Sequence, residues 1–141
     1  MPGCARELGE RSAAHVEVFA QNRVVVMPAG IGTERPRRLL AGRIAQARCY
    51  GAVVTLEPTG IVLVRKGKPA RVGDLFRLWG RPLSSTRLGS FPTGGGVRVY
   101  VNGRRLRVDP RNVPLTRHSE IVLEVGPFVP PHRSFTFPRG Y

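Results

Sequence analysis

Gly96–Val108 reads GVRVYVNGRRLRV, and the reading of this stretch decides the fold. Apolar and polar residues alternate on both sides of Asn102-Gly103. An Asn-Gly pair between alternating arms is the strongest short-range hairpin signal, because a type I′ turn needs positive φ at both central positions. A two-residue turn also sets the register: Val101 faces Arg104, Tyr100 faces Arg105, Val99 faces Leu106 and Arg98 faces Arg107. Val97, Val99, Leu106 and Val108 then share a core face, while Arg98, Tyr100, Arg105 and Arg107 share the other. Arg98 opposite Arg107 is a like-charge pair, which costs up to about 1 kcal/mol.

The same pattern occurs near the start of the chain. His15–Met27 reads HVEVFAQNRVVVM and aligns Val16 with Val97, Phe19 with Tyr100, Arg23 with Arg104 and Val25 with Leu106. This copy predicts strands at 16–20 and 23–27 around Gln21-Asn22. Its counterparts of the basic face are Glu17, Phe19, Val24 and Val26, so this first copy is expected to be buried on both faces.

Between the copies, 52–57 and 61–65 read as a hairpin around Pro58-Thr59-Gly60, apolar enough for burial on both sides. Residues 39–48 allow one short helix, with Leu40, Ile44 and Ala47 on one face and Gly42 against it. Residues 73–79 predict a helix with Asp74 as N-cap, Leu75, Leu78 and Trp79 inward, and Gly80 as its stop. Residues 81–96 form a long loop, 120–125 a last strand, and 127–141 an extended segment pressed down by Phe128, Phe135 and Phe137. Residues 1–14 lack any period and read as a disordered tail. The fold class is therefore α+β, predominantly β. It comprises one domain over 15–141 with about seven short strands, as three hairpins plus a last strand, and one short helix on the sheet. A β-grasp-like and a sandwich packing both fit.

The chain has 141 residues and a formal net charge of +14. All but two of its 23 basic residues are arginine, the exceptions being Lys66 and Lys68. Such a surface attracts anionic polymers, anionic lipid or nucleic acid. Arg98, Tyr100, Arg104, Arg105 and Arg107 are the candidate partner surface, with loop 81–96 beside it. Basic residues around an aromatic suit single-stranded nucleic acid. A solvated face with arginine stems shielding the sheet is the reading favoured for it.

No catalytic constellation is read. Ser84-Ser85 lacks the context of a strained nucleophile, and His15, His118 and His132 are too scattered to read as a metal motif. No cofactor is implied, and the chain is expected not to be an enzyme. Two cysteines allow one disulfide, although Cys49 reads most simply as a buried thiol. Met1-Pro2-Gly3-Cys4 is similar to the end of a lipoprotein cleavage site. An apolar stretch upstream would make Cys4 a lipid anchor and place the protein in the envelope; as it stands, the sequence reads as cytoplasmic. No transmembrane run is present in the sequence.

The blocks HVEVFAQNRVVVMPAGIG, CYGAVVTLEPTGIVLV, VGDLFRLWGRPLSSTRLG and FTFPRGY resemble an uncharacterised bacterial family of secreted or lipid-anchored proteins. Its members read H-x-x-IFVNG followed by PAGIG, then LHTHD-x-TGIIH, then F-x-x-WG-x-PLS. The resemblance implies a histidine cluster that this chain has largely lost. Val54 and Leu56 stand at the paired histidines and Leu63 at a third; only His15 keeps an imidazole of that cluster, and His118 matches a separate family histidine near the last strand. The expected function is a non-catalytic binding or structural module of the bacterial cell envelope, degenerate at that site, whose partner is an anionic polymer or a protein. A nucleic-acid-binding module using the 98–107 hairpin is the alternative.

Overall fold

The computed structural model describes residues 3–141. Apolar and polar side chains alternate along β1 (Arg11–Ala20), which is buried on both faces over most of its length. Gln21 and Asn22 take φ of 54° and 65° and return the chain into β2 (Arg23–Val24). β1 begins at Arg11, so 11–14 belong to the sheet and not to a tail. Upstream of it, Ala5 pairs with Tyr50 and Cys4 is disulfide-bonded to Cys49. Met1 and Pro2 of the expected tail lie outside the described residues. The first repeat copy is buried over most of β1, but on its return arm Met27 is buried while Val24 and Val26 are exposed.

β3 (Thr33–Leu40) and β4 (Arg43–Tyr50) form a two-stranded ribbon, correcting the helix expected over 39–48. Ala41 and Gly42 both adopt positive φ and close a tight turn. Ile44 and Ala47, read as a helix stripe, instead mark the buried side of an irregular strand with shifts in register.

β5 (Val53–Val54) pairs with β6 (Ile61–Arg65) as the expected hairpin, though with a short first arm. Helix α1 (Val72–Trp79) follows. Arg71 is its N-cap; Asp74 sits three residues later and its carboxylate accepts the Arg71 N–H at 2.8 Å. The inward side chains are Val72, Leu75 and Phe76, while Leu78 is exposed. Gly80 at φ 78° ends the helix, its N–H donating to Phe76 O. Two short strands, β7 (Leu83–Ser84) and β8 (Arg87–Leu88), lie within the segment read as loop.

β9 (Arg98–Val101) and β10 (Arg104–Leu106) pair in the expected register at Val101–Arg104, Tyr100–Arg105 and Val99–Leu106. The ladder ends before Arg107, so the like-charge pair does not form within it. A 3-10 turn at Pro110–Asn112 leads to β11 (Glu120–Val125).

These strands build one mixed sheet. Its backbone is β2-β1-β11-β9-β10, with β6 and β5 added along the N-terminal half of β1. The first and last strands lie side by side and parallel in the centre, with the helix lying in sequence between two antiparallel hairpins. That order is the β-grasp arrangement, not two facing sheets. One face packs Val16, Val18, Ile121 and Leu123 against Leu75 and Phe76 of the helix. The other face carries Ala13, His15, Glu17 and Phe19, and it meets the ribbon and the C-terminal segment. Phe135, Phe137 and Tyr141 of that segment pack with Val54, Leu56 and Leu63, the aliphatic replacements noted above. Among the described residues, no helix is long and apolar enough to cross a membrane.

Candidate functional site

The parallel pairing of β1 with β11 sets His15 directly beside Glu120. Both side chains point to the face covered by the C-terminal segment. Glu120 is fully buried. Its Oε1 lies 2.8 Å from His15 Nδ1, and its Oε2 has no hydrogen-bond partner. His15 Nε2 lies 2.8 Å from the carbonyl oxygen of Thr59. A carbonyl only accepts, so Nε2 carries a hydrogen. One further proton then lies between Nδ1 and the Glu120 carboxyl. Phe135 stacks on the imidazole at 3.6 Å between ring centroids and shuts it from water.

Glu17, two residues on along β1, reaches the same spot. Its Oε1 is 4.0 Å from His15 Nδ1 and 2.8 Å from Nδ1 of His132, which the C-terminal segment brings in from above. Burial pushes the Glu120 carboxyl up to about 7, with the nearby Glu17 adding to the rise and His15 opposing it. Burial also pushes Glu17 upward, but its bonds with Glu120 and His132 outweigh that and hold it below the usual value. The Glu17 carboxylate raises His132 in turn.

The linkage has a definite sign. Glu120 and His132 bind protons more tightly in the folded state, so both contributions fade as pH rises through the raised values. The protein is therefore expected to lose thermal stability as pH rises from about 5 through about 7, and Glu120→Gln, which keeps a neutral hydrogen-bonding group, is expected to flatten that slope. Thermal midpoints across this range check it; an unchanged slope in the variant would count against the assignment.

The expected partner surface is rearranged. Tyr100 is buried in a cluster with Phe19 and Val122, under Val129 and edge-on to Phe128. It offers no open ring for stacking. Arg98 turns toward β11 and donates to the fully buried Glu124 and to Gly126 O, so it is an internal partner and not a surface one. Arg104, Arg105 and Arg107 remain exposed, with Arg105 over the Tyr100 ring at 5.9 Å. Loop 81–96 supplies Arg81, Leu88 and Phe91 to an apolar cleft of about 250 Å³ against Val25, Val26 and Trp79. His118 lies apart from the cluster, stacked on Phe137 and bonded to Tyr141 O. Cys49 is no free thiol, and Cys4, held in the same disulfide, has no thiol available for a lipid.

Glu17, Glu120 and His132 were not anticipated as site residues. One signal was present: His15 and Glu17 are two apart in a strand and share a face. Ligand atoms of His15, Glu17 and Glu120 all lie within 4.8 Å of one another, so His15 has ligand-type neighbours although the three histidines do not come together. No protein-family model matches this chain, and neither a curated protein nor a solved structure is found to match it.

Proposed function

We propose that this chain is a non-catalytic binding module of the bacterial cell envelope, and that it docks on an anionic membrane surface through the ribbon β3–β4. The observation that carries the reading is the ribbon's tip. Leu39 and Leu40 are 61% and 71% exposed there, next to the exposed Ala41-Gly42 turn. Arg38 and Arg43 flank the tip, Arg43 ion-paired with Glu57, and the exposed Arg35 and Arg48 lie further along the ribbon. Aliphatic side chains at an exposed end of an arginine-bearing ribbon suit the boundary between headgroups and acyl chains. Each arginine near an anionic surface is worth about 1 kcal/mol, and each leucine fully withdrawn from water about 1.5–3 kcal/mol. Those magnitudes suit reversible, peripheral attachment. The Cys4–Cys49 disulfide supports a location outside the reducing cytoplasm.

Vesicles of phosphatidylglycerol are expected to sediment the protein at low salt, less so as salt rises, whereas phosphatidylcholine vesicles are not. Joint substitution of Leu39→Ser and Leu40→Ser is expected to weaken the attachment at least about tenfold. No sedimentation with the anionic vesicles would overturn the reading. The exposed Arg104, Arg105 and Arg107 favour a second reading, nucleic-acid binding at the edge hairpin. A salt-dependent gel shift, weakened by Arg105→Glu with Arg107→Glu, would support it over the first.

A further inference from the structure

The His15 cluster has an unresolved electrostatic demand. With Nε2 holding its hydrogen on Thr59 O, His15 Nδ1 faces the Glu120 carboxyl at 2.8 Å and the Glu17 carboxyl at 4.0 Å, and the single proton between Nδ1 and Glu120 is what a metal ion would displace. Glu120 Oε2 is buried and meets no donor. A buried carboxylate oxygen without a partner is costly, and two carboxylates side by side repel. A positive charge at this point would face the carboxylates of Glu17 and Glu120 together and relieve their repulsion.

We infer that His15 Nδ1, the carboxylates of Glu17 and Glu120, and His132 Nδ1 form a binding site for a divalent transition ion of the zinc class. Two imidazoles and two carboxylates are a donor set for such an ion and not for magnesium or calcium, which take oxygen. Two carboxylates also neutralise a dication, so the filled site buries no net charge. Tetrahedral ligands about 2.0–2.1 Å from zinc stand roughly 3.3 Å from one another. Two of the present spacings straddle that value, 2.8 Å from His15 Nδ1 to Glu120 and 4.0 Å from His15 Nδ1 to Glu17; His132 Nδ1 stands 2.8 Å from Glu17 but outside the 4.8 Å group that the other three ligand atoms form, so it moves in to complete the set. The Nε2–H bond to Thr59 O is the outer contact that metal-bound histidines usually make, fixing the tautomer that leaves Nδ1 free. Three ligands stand on the paired central strands β1 and β11, which hold them rigidly. The fourth, His132, is 64% exposed in its side chain and gives the ion a way in.

The test is calorimetric titration of the oxidised protein with zinc chloride, with magnesium chloride as control. One zinc ion per chain is expected, and no magnesium. Glu17→Gln and His132→Ala are each expected to weaken zinc binding at least about tenfold. His118→Ala is expected to leave it unchanged. Both weakened variants change partly or fully solvent-reached groups, and their thermal midpoints in chelator show whether they remain folded. X-ray absorption of the zinc-loaded protein is expected to show nitrogen and oxygen neighbours with imidazole scattering. Absence of one-to-one uptake, undiminished uptake in either folded variant, or a sulfur neighbour, which would move the ion to Cys4 and Cys49, would overturn the proposal.

Discussion

Replacing Cys4 and Cys49 together by serine is expected to cost about 4 kcal/mol of stability, taking the disulfide as a tether on the unfolded chain. The bond links positions 45 apart in sequence, so its loss frees a long loop. In a chain of this size that corresponds to a thermal midpoint lower by roughly 10–15 °C. The damage should be local before it is global. Ala5 and Tyr50 exchange two backbone hydrogen bonds, at 2.7 and 2.9 Å, and these hold the N-terminal segment against the ribbon only while Cys4 is anchored next to them. Protease cleavage within 5–10 should therefore appear in the reduced protein well below its midpoint. Coincident melting of oxidised and reduced protein would show that the bond is not structural. Because the disulfide also supports the placement outside the cytoplasm, that result would weaken the envelope reading too.

The second large effect is expected at Gly60. It turns the chain out of the loop 55–60 into β6 at φ +83°, a conformation that side chains disfavour. A Cβ there would stand 2.6 Å from Val16 O and 2.9 Å from His15 Nε2. Both atoms are fixed, the first by the strand and the second by Thr59 O and Phe135. The Val16 N–H bond to Gly60 O, 2.8 Å long, would be displaced with them. Gly60→Ala is expected to cost roughly 3–5 kcal/mol, the sum of backbone strain and overpacking, and to weaken zinc uptake through the displaced imidazole. Gly67→Ala is the control. Gly67 has φ +76° but nothing within 4 Å of an added Cβ, so only the backbone cost of about 1 kcal/mol applies. Urea midpoints of the two variants separate crowding from strain. Equal losses would show that the site does not press on Gly60.

Much of the scaffold was legible because it depends on neighbours in sequence. The Asn102-Gly103 turn, its three-pair register and the stop at Gly80 follow from residues within a few positions of each other. The ribbon β3–β4 was not legible for the same reason. Its turn begins with Ala41, a residue that rarely takes positive φ. Its buried Ile44 and Ala47 happen to fall three apart, as on a helix. Asp74 was read as the N-cap but stands three residues after it, inside the first turn, from which its carboxylate reaches back to the Arg71 N–H. The outer face of the second hairpin was read as solvent-facing because alternation separates two sides of a strand without saying what covers each. Val129 and Phe128 arrive from the end of the chain and cover Tyr100.

What the sequence by itself determined is three of the hairpins, the one helix and the β-rich class, since alternation and turn chemistry act over a few residues. What only the tertiary structure decided is the site. Glu120 meets His15 across 105 positions, through a parallel pairing that no local pattern specifies. Parallel strands exchange no tight turn, so their register comes from packing the whole sheet against the helix on one side and the C-terminal segment on the other. That same packing takes the carboxylate out of water, brings His132 over Glu17, and turns four scattered residues into one charged cluster.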